Sequence, residues 1–251
     1  MWKDFNALRD TKEAVVALLD ADAQQKKADV IITIVERPPV LDEAAVEHAW
    51  LEETRANPRI FNGSVAWVHK YAVGDTITLA CSASDFKHLM YLWRQERIAL
   101  RDFAICAGGV RCLLVTADDK VLLARRGNNV TWPGKILAIP GGLFTADVTT
   151  AKEQALIELE EEVGITREEV SGIDFLGMSL EGEFPTLQVK FMLRTPLHSD
   201  IVAKRLVAAK DRYEPGEFWF VPIDAVPAVI EEHRKDLRPE TLDILRHVQA
   251  A

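Results

Sequence analysis

Cysteine is scarce in this chain. Cys81, Cys106 and Cys112 form no CxxC pair, and three cysteines cannot all pair within one chain, so neither a disulfide framework nor a zinc site is expected. Buried free thiols in a reducing compartment are the expectation. The six histidines, His48, His69, His88, His198, His233 and His247, are scattered without ligand spacing, and no Ser-His-Asp or Cys-His nucleophile can be read from them. No apolar run is long enough to cross a bilayer, and Met1-Trp2-Lys3-Asp4 does not open a charged-then-apolar leader, which points to a cytoplasmic protein with no membrane partner. Positive charge is also short. The net charge is −9, and acidic residues outnumber basic ones on both sides of Phe103, which excludes a general attraction to nucleic acid. A phosphate-bearing small molecule remains possible, because a metal or a few local cations outweigh a distant average. Internal repeats and low-complexity tracts are lacking too.

What is present suits a folded protein: 251 residues, 48% of them hydrophobic, can build a sizeable core. Ala14 to Leu19 suggests an early helix, and the β-branched run from Val30 to Val35 a strand. Asp42 is suited to cap a helix that Asn57-Pro58 stops near Ala56. Ser64 to Tyr71 and Thr76 to Ser82 read as strands joined at Gly74-Asp75, and Ser84 begins a helix expected to reach Arg97. Ile105 to Thr116 reads as a strand with Val121 to Ala124 as its hairpin partner across Asp118-Asp119. Further strands are expected at Ile173 to Leu180, Leu187 to Leu193 and Phe218 to Val221, and helices at Ile201 to Ala209, Asp224 to His233 and Pro239 to Ala250. Arg101-Asp102 is the best boundary, dividing a mixed α+β N-terminal region, 1–103, from a second domain, 104–251.

The most informative stretch begins at Ala138-Ile-Pro-Gly-Gly142, an apolar strand end with a glycine turn that lets backbone approach a ligand. On the helix that follows, Glu158, Glu161 and Glu162 fall at i, i+3 and i+4, within about a 100° arc of one face. Like charges so placed repel unless a cation sits among them, and a divalent metal is the natural relief. Leu156, Leu159 and Val163 fall on another arc and can anchor the helix, while Gly164 can end it. Taken alone, such a run is more often a solvated face.

Ile157-Glu-Leu-Glu-Glu-Glu-Val-Gly-Ile165 resembles the second half of the Nudix box, matching at every position but the first, where Ile157 replaces an arginine. The first half is looser: Gly142 lies one residue too far upstream, Thr149 stands where an early glutamate belongs, and Asp147 is a candidate substitute. The resemblance implies an α/β/α sandwich with a mixed sheet for the second domain. It implies a Mg²⁺-dependent hydrolase, with Mn²⁺ able to substitute, that splits the diphosphate of a small nucleoside diphosphate derivative. Glu158, Glu161, Glu162 and the Gly141 carbonyl would hold metal, and the three glutamates form the catalytic set. Basic residues near the strand end before the box, Arg125 and Arg126, would face substrate, and Trp132 could stack on a base. Lys135, Lys190 and Arg194 are further phosphate candidates, and Glu181 and Glu183 are candidates for a distant general base. Asn57-Pro58-Arg59-Ile60-Phe61-Asn62-Gly63 is similar to a segment of the divergent Nudix group that includes the UDP-glucose and UDP-galactose hydrolases, which implies a UDP-sugar split into UMP and sugar 1-phosphate. The alternative is a Nudix-derived module that binds such a molecule without turnover. Ile157 is expected to pack where the family has its arginine.

Overall fold

The structure is a computed structural model and describes residues 1–8, 15–21, 25–58, 60–94, 104–127, 133–181, 185–209 and 215–249. In chain order the elements are β1 (Trp2–Asp4), β2 (Val15–Asp20), β3 (Val30–Ile34), α1 (Glu43–Ala56), β4 (Ser64–Val73), β5 (Ile77–Asp85), α2 (Phe86–Arg94) and β6 (Cys106–Val115). There follow β7 (Lys120–Arg126), β8 (Ile136–Ala138), β9 (Gly141–Leu143), α3 (Ala151–Glu158), β10 (Gly172–Glu181), β11 (Thr186–Arg194), α4 (Ser199–Ala208), β12 (Pro215–Pro222), α5 (Val226–His233) and α6 (Pro239–Gln249).

The strands form one mixed sheet whose path runs β2-β10-β11-β6-β4-β5-β3. The β11–β6 and β3–β5 pairs are parallel, and the others on the path are antiparallel. Strands from either side of residue 103 are hydrogen-bonded neighbours: β2 adds to the edge of β10, and β4 meets β6 at Val68 and Cys106. Helices cover both faces, giving an α/β class fold. On one face α3, the turn Leu159–Val163 that continues it, and α4 bury Ala151, Ala155, Leu159, Val163, Val202 and Leu206 against β3, β5, β10 and β11. On the other, α5 and α6 bury Ile230, Ile244, Leu245 and Val248 against Leu113, Val115 and Leu123. Full burial of each such Leu, Ile or Val is worth about 1.5–3 kcal/mol. Every residue of β6 is buried, which explains its unbroken apolar run at the centre of the sheet.

Asp42 caps α1 by accepting from the Ala44 and Ala45 backbone N–H groups at 3.0 and 3.3 Å, and Asn57 ends the helix by donating to the Glu53 carbonyl. Three expectations are corrected. The early helix is strand β2: Val15-Val16 suits a pleated surface, and pairing with β10, Val16 opposite Leu180, decides the matter; Ala14 lies outside the described residues. The expected hairpin of β6 and β7 touches only at Val115 and Val121, after which β7 leaves to run antiparallel to β12. Ser84 and Asp85 still belong to β5, so α2 begins at Phe86, and its expected end at Arg97 lies outside the described residues.

Candidate functional site

The site is assembled where α3 meets β9. Thr150 caps α3 by accepting from the Glu153 backbone N–H at 3.2 Å, while the Glu153 carboxylate accepts from the Thr149 backbone N–H at 3.1 Å. The helix buries Ala151, Ala155, Leu159 and Val163, so its opposite face carries the carboxylates. At Leu159–Val163 the α-helix opens into a π turn, a local widening that recurs at functional sites. Gly164, at φ 75°, closes it in the left-handed conformation and returns its N–H to the Glu160 carbonyl at 3.0 Å.

The widened turn aims two carboxylates at one dipeptide. Glu162, only 8% exposed, accepts from the Gly141 N–H at 3.0 Å. Glu158 accepts from the Gln154 side-chain amide at 2.7 Å and lies so close to Gly142 that a Cβ there would collide with its carboxylate. Glu161 is half-buried beside Glu162, and Glu160 points to solvent. From the other side, buried Arg111 of β6 donates to the Ala138 carbonyl at 3.2 Å, and its Nη1 would lie 2.6 Å from a Cβ on Gly141. Both glycines are therefore needed for close approach, Gly141 to a guanidinium and Gly142 to a carboxylate.

Among the described residues, no three acidic, histidine or cysteine side chains already stand together as a metal cage. Glu158 and Glu162 are held on adjacent glycines by the Gln154 amide and the Gly141 N–H. The donor set nevertheless fits a hard divalent ion: carboxylate oxygens and backbone carbonyls, no thiolate, and a glycine cradle that a single Cβ would fill.

Gln154 and Arg111 are the contributors that sequence reasoning passed over. Arg111 belongs to a polar strip on the α6 face of the sheet, where Lys190 stands opposite Arg111, Ser179 opposite Gln188 and Glu181 opposite Thr186. All six residues are buried, and Arg111 Nε, Ser179 Oγ and Gln188 Oε1 have no hydrogen-bond partner among the described residues. Above the strip, Lys190 pairs with Asp243 at 2.9 Å, and Arg238 joins Glu181 to Glu240. These unmet donors and acceptors form a buried polar run continuous with Arg111 and Gly141.

Several residues singled out in the sequence have other surroundings. Ile157 is 38% exposed, so its side chain is only partly covered. Asp147 is exposed, and its carboxyl is held below the usual range by the Thr145 hydroxyl and its own backbone N–H. The tie between loop and helix comes from Glu153 and Gln154 instead. Glu181 is no loop residue but the buried end of β10, ion-paired with Arg238, and Lys190 is buried as well. Arg125 donates to the Gly134 carbonyl at 2.8 Å, meets Asp236 at 3.3 Å and faces the Trp219 ring at 5.3 Å. Arg126 is half-buried at the end of the same strand. Lys135 donates to the Lys235 carbonyl, and Arg194 sits near Asp174. Trp132 and Glu183 lie outside the described residues. In the Asn57 to Gly63 segment, Asn62 donates to Asp85 at 3.0 Å and accepts from the Lys87 N–H at 2.8 Å, a local structural task; Arg59 lies outside the described residues.

All three thiols are free and buried. Burial pushes Cys81 up to about 12, and it raises Cys112 further, where Arg111 opposes the shift and Glu158 and Glu162 add to it. No helix among the described residues is long and apolar enough to cross a membrane.

Comparison with known proteins supplies independent findings. A family model described as the NUDIX domain matches residues 107–243. The chain is similar to Nudix hydrolase 9 of Arabidopsis thaliana, 23% identical with 72% of each chain covered. Among solved structures, it resembles the NUDIX domain of Shewanella oneidensis NrtR complexed with ADP ribose, at 15% identity, TM-score 0.42, and 58% and 87% of the two chains covered. It also resembles a bifunctional NMN adenylyltransferase/ADP ribose pyrophosphatase of Francisella tularensis complexed with AMP and a Mn ion, at 14% identity, TM-score 0.42, and 58% and 41% covered.

Proposed function

We propose, since this chain belongs to the Nudix family, that it is a metal-dependent pyrophosphohydrolase that splits the diphosphate of a nucleoside diphosphate derivative, with a UDP-sugar as substrate and UMP and sugar 1-phosphate as products. The observation that carries the reading is the seating of Glu162 on the Gly141 N–H and of Glu158 against Gly142. Glu158, Glu161, Glu162 and the Gly141 carbonyl would hold Mg²⁺, with Mn²⁺ able to substitute. A bound ion of this kind neutralises diphosphate oxygens and lowers the pKa of an attacking water.

The protein's own groups account for the rest. Arg111, next to Gly141, is the nearest buried cation to a diphosphate held there, and its unpartnered Nε is a donor for a phosphate oxygen. Ser179 and Gln188 offer hydrogen bonds to the hydroxyl-rich or amide-bearing remainder of the substrate. Arg126 and Trp132 are proposed at the nucleoside end. Arg125 could join them by exchanging Asp236 for a phosphate. The proton from water passes to one of the three glutamates or to Glu183, because Glu181 is committed to Arg238. The UDP-sugar choice rests on the Asn57 to Gly63 segment and on the polar strip, which suits a sugar better than a flat apolar pocket would.

Two measurements test the proposal. With saturating Mg²⁺ the melting temperature should rise, as about 2.7 kcal/mol of stabilisation at one hundred times the dissociation constant requires, and Glu161→Gln or Glu162→Gln should remove most of that rise. Hydrolysis of a UDP-sugar in ¹⁸O-water should mark a phosphate product and leave the sugar's anomeric oxygen unlabelled, because a metal held at these glutamates would direct attack to the diphosphate. Label at the anomeric hydroxyl would exclude the mechanism. Absence of turnover across UDP-sugars, ADP-ribose, dinucleoside polyphosphates and nucleoside triphosphates, with binding retained, would favour the non-catalytic binding module.

A further inference from the structure

Gln154 is 1% exposed on the first turns of α3, and both ends of its amide are used. Its Oε1 accepts from the Thr145 backbone N–H at 3.2 Å and from the Thr145 hydroxyl at 3.4 Å, nine residues back in the loop. The Thr145 backbone N–H at that end fixes the amide orientation, the hydroxyl sharing its single proton between Gln154 and Asp147, so Nε2 must face Glu158, to which it donates at 2.7 Å one helical turn on. The Glu158 carboxylate is thereby clamped between this amide and the Gly142 backbone. The type of side chain matters here. A lysine or arginine would pair permanently with Glu158 and compete with a metal, and a glutamate would set like charges at i,i+4. An amide donates to the carboxylate without altering the charge of the site.

We propose that Gln154 is the positioning residue for Glu158. It couples the carboxylate's rotamer to the 144–150 loop and braces that loop in a box that lacks the usual arginine and early glutamate. The inference rests on the metal-site reading of Proposed function.

The test uses the full chain, Mn²⁺ as the probe, and calorimetric titration together with Mn²⁺ spin resonance. Gln154→Leu keeps volume and helix propensity but loses all three hydrogen bonds. Its Mn²⁺ dissociation constant should rise about tenfold, the effect of one hydrogen bond to a charged group. Thr145→Ala removes only the hydroxyl anchor and leaves the helix untouched, so it should move the constant in the same direction by about two- to threefold, and it serves if Gln154→Leu does not fold. In turnover, kcat at limiting Mn²⁺ should fall with KM for the substrate unchanged, and high Mn²⁺ should restore it, which a loss of folded protein would not allow. Wild-type constants in both variants, with Mn²⁺ binding intact in the parent, overturn the positioning role alone. Failure of the parent to bind Mn²⁺ overturns the site reading and this inference together.

Discussion

Arg238→Ala should destabilise the protein by about 3–5 kcal/mol, the loss expected when one partner is removed from a buried ionic group. Arg238 precedes α6, is only 3% exposed, and joins Glu181 at the end of β10 to Glu240, both 2% exposed. Truncation strands two carboxylates in a low-dielectric layer between sheet and helix, where their desolvation is no longer offset. Its effect reaches the site as well. The Arg238 backbone donates to the Ile136 carbonyl, and Thr241 accepts from the Ala138 N–H at 3.1 Å, so this corner fixes β8, and Ala138 in turn receives Arg111. Denaturant melts of the metal-free protein measure the loss. Replacing the whole group by Leu at 181 and 240 and Met at 238 should cost far less than Arg238→Ala alone, because no charge is left unpaired. Equal losses in the two variants would mean that packing, and not charge, holds this layer.

That ionic layer was not legible in the sequence, although its members are. Glu181 and Arg238 are 57 positions apart, and only the pairing of β10 with β11 and the docking of α6 bring them together. Local signals fared better, because their causes are local. Asp42 caps a helix through its own neighbours, Gly164 supplies the left-handed residue a helix end needs, and the alternating and β-branched runs of β3, β4, β5 and β10 report their own burial. β2 was misread because six residues of mixed propensity take their conformation from a partner strand, which no local pattern reveals. The spacing of Glu158, Glu161 and Glu162 announced an acidic face, but the π turn that sets Glu162 onto Gly141 has no sequence signature. Gln154 stayed hidden because glutamine in a helix is commonplace. The available hint was its i,i+4 relation to Glu158, which makes the pair neighbours on one face.

Gly142→Ala should leave the fold intact and lower kcat by about 100-fold, the scale of effect that a displacement of about 1 Å produces in a reacting array. Gly142 is not among the glycines with positive φ, so alanine can adopt its backbone and strain is not the issue. What the new methyl group meets is the Glu158 carboxylate. A carboxylate at the end of a flexible side chain can swing aside, which keeps the stability loss below about 1 kcal/mol. Swinging aside, however, breaks the 2.7 Å bond from Gln154 and removes one of the oxygens proposed to hold metal. Stability and activity should therefore separate: a melting curve near that of the parent without metal, a diminished rise when Mg²⁺ is added, and turnover close to that of Glu158→Gln. Because both changes remove the same carboxylate from the same place, combining Gly142→Ala with Glu158→Gln should reduce activity little further than either alone. Full activity in Gly142→Ala would show that Glu158 does its work in a position other than the one against this glycine.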